Sequence, residues 1–152
     1  EGYVQATKTL AYGGQVIEDF RLEFSQGKVV NYSASKGEVV LRKLLETDEG
    51  ASRLGEVALV PNKSPVSQSG ILFHHTLMDE NAASHLALGA AYQFSLQNGE
   101  TMTREEFSQA GGNHSITHVD FMVGCAEMDI DGILSDGSNE PVMRSGEWAF
   151  EI

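Results

Sequence analysis

The chain has 152 residues, of which 41% are hydrophobic and 21% are charged, a composition typical of one globular domain with its own core. Its net charge of -12 comes from 22 acidic and 10 basic side chains. Such an acidic chain is a poor partner for nucleic acid or an anionic membrane, which both require a basic face. The sequence has no apolar run of the roughly 20 residues that span a membrane. Because Cys125 is the single cysteine, an internal disulfide is excluded and a cytoplasmic setting is expected.

The first part of the chain has the pattern of antiparallel strands. Residues 2–35 alternate apolar and polar side chains, with turn signals at Gly13-Gly14 and Gln26-Gly27. This pattern predicts three strands, the last two forming a hairpin. The chain opens on Glu1 rather than Met and enters this pattern at once, so we expect it to be a piece of a longer protein.

The middle of the chain mixes helical and extended signals. Residues 36–48 have a helical period with apolar side chains on one face, which predicts a helix. Residues 54–61 form a nearly all-apolar run ending at Pro61, typical of a strand buried on both faces. Residues 76–94 are ambiguous, because Asp79 is a suitable helix N-cap and the Ala-Leu content favours helix, whereas Gly89 weakens it.

The last third reads as a polar loop followed by strands. Residues 95–113 are polar and have room for one short helical turn. Strands are predicted within 115–124, 127–137 and 141–150, separated by Gly-rich turns. The whole pattern predicts an α+β domain with a mostly antiparallel β-sheet and one or two helices.

His118 and Asp120 lie two residues apart in the strand predicted over 115–124. Alternate residues of a strand share one face, so these side chains should project together, opposite Val119 and Phe121. Burial of an unpaired carboxylate costs several kcal/mol, so Asp120 requires a partner. An arginine, His118 itself and a divalent cation all fit this requirement.

Three further polar residues stand in apolar surroundings. Glu56 lies near the start of the run 54–61, His85 lies inside the Ala-Leu segment, and Tyr92 follows seven residues later. Solvent at a strand end would explain Glu56, and hydrogen bonds within the core would explain His85 and Tyr92. If the segment is helical, positions 85 and 92 lie two turns apart on one face.

The remaining candidates are interpreted as structural. We expect His74 and His75 at the surface, His114 in a solvated turn, and Asp79, Glu80 and Asn81 in a helix cap or polar network.

Two histidines and two carboxylates suit Zn, Co or Mn, although their spacing matches no short zinc signature. An iron facial triad would need a later histidine, and none follows Asp120.

The blocks "GEVALVP", "TLMDENAASHLALG" and "HSITHVDFMVG", in this order, closely resemble the C-terminal part of the aminopeptidase T and aminopeptidase S (PepS) family. These are bacterial dinuclear metalloaminopeptidases, and the likeness runs over essentially all of the chain. The resemblance implies that Tyr92 lies at the metal centre as a ligand or hydrogen-bond donor. Catalytic roles are implied for Glu56, as a bridging ligand and proton shuttle, and for Tyr92. The implied metal ligands are Glu56, His85, Tyr92, His118 and Asp120.

The resemblance also implies what surrounds this piece in the intact enzyme. Two divalent cations, a homodimer and peptide substrates with a free N-terminus are expected, with one cation or none bound to this piece alone. Family members carry a further metal-binding glutamate just upstream of the position of Glu1, and an N-terminal α/β domain. Residues 1–152 are therefore expected to be the metal-binding catalytic domain, inactive or weakly active alone. A non-catalytic module, metal-stabilised or used for dimerisation through the N-terminal hairpins and 141–150, is the alternative.

Overall fold

The computed structural model describes residues 1–151, and the predicted α+β class is confirmed. Its longest helix has eight residues, and none of the helices described is long and apolar enough to cross a membrane. The strands are β1 (Gly2–Gln5), β2 (Leu10–Tyr12), β3 (Gln15–Ile17), β4 (Arg21–Ser25), β5 (Lys28–Ser33), β6 (Leu54–Ala58), β7 (His85–Gly89), β8 (His118–Met122), β9 (Ile130–Ile133), β10 (Asn139–Arg144) and β11 (Glu147–Trp148). The helices are α1 (Glu38–Leu45), α2 (Pro65–Ser69), α3 (Thr76–Asp79) and α4 (Arg104–Gln109), with short 3-10 turns at Glu80–Ala82, Gln93–Ser95 and Gly99–Thr101.

The N-terminal region contains five short strands rather than the predicted three. The turns at Gly13-Gly14 and Gln26-Gly27 were correctly predicted, since they join β2 to β3 and β4 to β5. The strand β1 pairs with β4 instead of with the next strand in sequence. The difference arises because the β2–β3 hairpin forms a separate two-stranded sheet between them.

A three-stranded antiparallel sheet, in the order β6-β7-β8, forms the centre of the molecule. The helical alternative for 76–94 is wrong over 85–89, which is a strand hydrogen-bonded on both sides. Gly89 has φ +102, and a Cβ there would lie 2.1 Å from the carbonyl oxygen of Thr117. This close approach requires glycine, and the positive φ is incompatible with a right-handed helix.

The predicted burial of 54–61 on both faces is also wrong. The strand β6 lies at the edge of its sheet, and the side chain of Val57 is 66% exposed. Apolar composition suggested a central strand, but the third strand of this sheet, β8, pairs with β7 instead.

The core joins the N-terminal strands and α1 to one face of the central sheet. Leu88, Val119 and Phe121 supply the sheet's part of this core, and the Phe121 ring lies 5.4 Å from that of Phe20. Since side chains alternate across a strand, the neighbours of these residues are directed to the opposite face. The remaining strands, β9, β10 and β11, form a separate antiparallel sheet near the C-terminus.

Asp48, just after α1, links the end of this helix to the loop that precedes β8. Its carboxylate accepts hydrogen bonds from the backbone N–H of Gly50, Ala51 and Ile116 and from the Ser115 hydroxyl. The N–H of Ile116 holds the pKa of Asp48 below its ordinary value, with help from Ser115, although burial opposes the shift. The ionised carboxylate therefore fixes the loop that leads into β8.

Replacing Asp48 by Asn should lower the melting temperature at neutral pH, because Asn cannot replace the charge that these donors favour. A depressed folded-state pKa stabilises the fold above the unfolded value of about 3.9 and loses its effect as pH falls through the folded value. We therefore expect the difference in melting temperature between wild type and Asp48→Asn to shrink below about pH 4. The exposed Glu46→Gln serves as the control, and an equal difference at all pH values would contradict the role of ionisation.

Candidate metal centre

The register of the central sheet brings the predicted polar residues onto one face. Glu56 of β6 and Asp120 of β8 both pair with Ala87 of β7. Residues directly opposite in an antiparallel sheet share a face, as do residues two apart in one strand. His85 and His118 therefore lie on the same face as these carboxylates, opposite the apolar core.

The middle strand, β7, leaves space between the donor side chains because Ala87 and Gly89 on this face are small. Ala87 separates Glu56 from Asp120, and Gly89 is the partner of His118. A longer side chain at position 87 would occupy the volume between the two carboxylates.

The donor atoms lie at short, regular separations. His85 Nε2 is 3.4 Å from Glu56 Oε1, and His118 Nε2 is 3.4 Å from Glu56 Oε2. His118 Nε2 is also 3.2 Å from Asp120 Oδ1. The two oxygens of Glu56 thus face different imidazoles.

Backbone carbonyls orient both imidazole rings. Nδ1 of His85 donates to the carbonyl of Ala83 at 3.1 Å, and Nδ1 of His118 donates to that of Ala90 at 2.6 Å. Because a carbonyl only accepts, Nδ1 carries the proton and Nε2 of the neutral ring carries a lone pair. Both lone pairs therefore face carboxylate oxygens, so each contact needs a shared proton or a metal ion between the two atoms.

The separations fit ligands of a shared ion. For metal–ligand distances near 2.1 Å, two ligands of a tetrahedral centre lie about 3.4 Å apart, as these pairs do. Asp120 is 5% exposed, and within residues 1–151 its Oδ1 is the buried side-chain oxygen or nitrogen that lacks a hydrogen-bond partner. Glu56, His85 and Asp120 offer ligand atoms that all lie within 4.8 Å of one another. The donor set thus fits a divalent cation.

Sequence reasoning missed Glu80 as a member of this site. Burial raises the pKa of its carboxyl, and the charge of Asp120 raises it further, whereas His85 lowers it. Glu80 is the first residue of the 3-10 turn that follows α3, and its carboxyl group contacts that of Asp120. No periodic spacing relates positions 80 and 85 across this turn, so the only signal was an acidic residue next to an apolar run.

Tyr92 reaches the centre from the segment that follows β7, not through the helical spacing considered for 85 and 92. Its ring packs on that of His118, with centroids 4.5 Å apart, and stacks on Phe94. Burial raises the pKa of the Tyr92 hydroxyl, and the negative charges of Asp120, Glu56 and Glu80 add to the shift. The phenol is therefore a protonated hydrogen-bond donor at neutral pH.

Asn113 fixes the chain segment that holds His118. Its side-chain amide donates to the backbone carbonyls of Gly89 at 2.6 Å and Gly50 at 2.9 Å. The backbone carbonyl of Asn113 accepts from the N–H of Ala91 at 2.8 Å. These bonds bracket Ala90, whose carbonyl orients the imidazole. The "GGN" that precedes the last histidines is thus part of the support of the site.

Within residues 1–151, the other polar candidates are not among the grouped ligand atoms. His74 and His75 are exposed, as predicted, and lie in the loop that leads into α3. His114 is half-buried rather than solvated, because it bonds to the Arg104 carbonyl and packs on Phe107. Asp79 ends α3 and does not cap it. Its buried carboxylate accepts from the N–H groups of Phe73 and His75.

Comparison with known proteins identifies relatives of the whole chain. Aminopeptidase AmpS of Bacillus subtilis (strain 168) is 57% identical over 150 residues, which are 99% of this chain and 37% of that protein. Aminopeptidase 2 of Geobacillus stearothermophilus is 54% identical over 151 residues. The chain thus spans little more than a third of the length of these relatives.

A solved structure, wild-type AmpT from Thermus thermophilus, matches 99% of this chain with a TM-score of 0.91 and 51% identity. The match covers 36% of that structure, consistent with a domain of a larger enzyme. The family model described as thermophilic metalloprotease (M29) matches residues 1–148. The chain therefore belongs to the M29 metalloprotease family.

Proposed function

We propose that this chain is the C-terminal, metal-binding catalytic domain of an aminopeptidase that removes N-terminal residues from peptides. The observation that carries the proposal is the convergence of Glu56, His85, His118 and Asp120 on one face of the central sheet. The relatives named aminopeptidase support the choice of reaction.

We infer that the metal ligands are the four residues of this face together with Glu80. The two oxygens of Glu56 face different imidazoles, at 3.4 Å each, so Glu56 would contribute to metal binding on the side of both histidines. The ligand atoms of Glu56, His85 and Asp120 all lie within 4.8 Å of one another, and His118 is not in this group of three. We still include His118, because its Nε2 contacts both Glu56 and Asp120. Zinc, cobalt or manganese would suit these nitrogen and oxygen donors.

Hydrolysis adds water across the first peptide bond, with the hydroxyl going to the carbonyl carbon and the proton to the departing amine. Bound divalent cations supply an activated water and a polarised carbonyl. The carboxylate of Glu56 would also hold the proton in transit from the water to the departing amine. The Tyr92 hydroxyl is placed to donate a hydrogen bond to the carbonyl oxygen as negative charge develops on it, a contribution of about 2.7–4 kcal/mol in comparable sites.

We propose that the site selects a free N-terminus because the substrate amine would bind a cation through its nitrogen or donate a hydrogen bond to one of the carboxyl groups of Glu56, Glu80 and Asp120, which lie close together. An acetylated N-terminus has no basic amine for either contact.

The setting of the complete protein is also proposed. The likeness to the aminopeptidase T and S family supports a homodimer, and the single cysteine supports a cytoplasmic location. The relatives extend well beyond the matched region, and the resemblance implies a further metal ligand upstream of Glu1. We therefore expect residues 1–152 alone to have little or no activity.

The complete protein, loaded with cobalt or zinc, should release an amino acid from an unblocked dipeptide and leave the N-acetylated dipeptide intact. Amino-acid release is measured by chromatography with and without a chelator. A protein that folds and binds metal but cleaves neither peptide would favour the non-catalytic alternative, and equal cleavage of both would contradict recognition of the free amine.

His118→Ala in the complete protein should lose tight binding of at least one metal ion, because Glu56 and Asp120 would then lack their common nitrogen partner. Loss of one ligand or its support typically lowers metal affinity by about 10- to 100-fold or more. Elemental analysis after dialysis measures the metal content, and the exposed His75→Ala is the matched control. Unchanged stoichiometry and affinity in His118→Ala would remove it from the ligand set.

Tyr92→Phe tests whether the hydroxyl acts as a donor or as a ligand. As a donor, its loss should lower kcat by about 100-fold or more while the metal content stays at the wild-type value. Turnover and metal content are measured on the same preparation. Wild-type turnover would exclude Tyr92 from the reaction, and a parallel loss of metal would assign it as a ligand.

A further inference from the structure

A large cavity adjoins the candidate metal centre and shares Tyr92 with it. Its volume is about 990 Å³, at the upper end of the range for pockets that bind small ligands. The loop before β8 and the helix α4 form much of its wall. Tyr92 packs on His118 and also lines this cavity, so a peptide bound at the metal centre could extend into it.

The cavity contains two arginines in a chain of strongly negative charge. Arg53 and Arg104 both line it, and they are two of only 10 basic side chains in the protein. Within residues 1–151, neither guanidinium lies within 4.0 Å of an acidic side chain. The only hydrogen bond of the Arg53 side chain in that range is to the carbonyl of Gln26, so both positive charges are available to a ligand.

Two acidic residues, Asp48 and Glu49, line the same cavity, and within residues 1–151 neither forms an ion pair with these arginines. The carboxylate of Asp48 already accepts from Gly50, Ala51, Ser115 and Ile116. The cavity therefore presents two guanidinium groups and the carboxylate of Glu49 beside an apolar wall from Met102 and Phe107. Guanidinium groups bind carboxylates by paired hydrogen bonds.

We propose that this cavity binds the leaving-group side of a short peptide and that Arg53 and Arg104 bind its C-terminal carboxylate. This inference rests on the proposed aminopeptidase function and specifies its substrates as short peptides with a free C-terminus. A preference for the carboxylate over the carboxamide would come from the local positive charge of these two arginines.

The test compares peptides from tripeptide to hexapeptide, each as the free acid and as the C-terminal amide, on the metal-loaded complete protein. At one or more lengths, kcat/KM should be higher for the acid by roughly three- to fivefold, the usual effect of a solvent-accessible ion pair. The preference should fall as ionic strength rises. It should appear mainly in KM, since the carboxylate lies away from the reacting bond.

The variants Arg53→Gln and Arg104→Gln, alone and combined, should reduce this preference, and the double variant should abolish it. Arg42→Gln on the exposed side of α1 is the matched control and should retain it. Melting temperatures of all variants verify folding. An equal kcat/KM for acid and amide at every length, or a preference that survives in the double variant, would overturn the proposal.

A binding measurement separates this inference from the proposed reaction. Peptides whose first amide is replaced by a reduced CH2–NH bond cannot be hydrolysed, and calorimetry measures their affinity with and without bound metal. The free acid should bind about three- to fivefold more tightly than the amide, and Arg53→Gln/Arg104→Gln should remove the difference. Absence of hydrolysis with this binding pattern would refute the reaction alone. Binding without the pattern, or no binding of either peptide, would refute the carboxylate site.

Discussion

The candidate centre depends on the antiparallel register of β6, β7 and β8. In this register Glu56 and Asp120 flank Ala87, while Val119 and Phe121 enter the core. A shift of β8 by one residue would exchange the two sets, burying a histidine and a carboxylate among apolar side chains and exposing the core residues. The packing that stabilises the fold therefore also selects which side chains face the site, and the two requirements cannot be altered independently.

The backbone determines how the imidazoles are used once the register is set. The carbonyls of Ala83 and Ala90 accept hydrogen bonds from Nδ1–H of His85 and His118, so that both Nε2 atoms face carboxylates. Supporting hydrogen bonds of this kind orient metal ligands in proteins generally. For His118 the support continues through Asn113, which brackets Ala90. The loop before β8 thus links the stability of the Asp48 network to the orientation of a proposed ligand.

Local patterns predicted the parts of this arrangement that lie within one strand. The spacing of His118 and Asp120 correctly predicted a shared face, because strand periodicity requires only adjacent positions. The apolar composition of 54–61 wrongly predicted β6 as a central strand. The segment containing His85 was left undecided between helix and strand. Both outcomes concern which strands become neighbours, information that the chain expresses only through long-range pairing. Glu80 and the carbonyl partners of the histidines were not predicted, since a 3-10 turn and backbone atoms have no signature in side-chain periodicity. The family resemblance implied that Glu56, His85, Tyr92, His118 and Asp120 form one site but did not include Glu80, and the metal-ligand roles of these residues stay a prediction.

The site's own electrostatics explain why a cation would affect the fold as well as the reaction. Burial and the neighbouring charge of Asp120 raise the pKa of Glu80, which means that the folded state disfavours its ionised form. For a carboxyl group with a raised pKa, this cost is absent at low pH. It grows as pH rises from the pKa of the unfolded state towards that of the folded state, and it is fully present above the folded-state pKa. A divalent cation among these oxygens would offset the repulsion and add its binding free energy to the stability of the native state. The carboxylates that make the metal-free sheet face unfavourable are therefore the same groups that would make it a strong cation site. Ala87 lies between the two carboxylates on β7. Its methyl group is too short to fill the space between them, so that space is left for a cation.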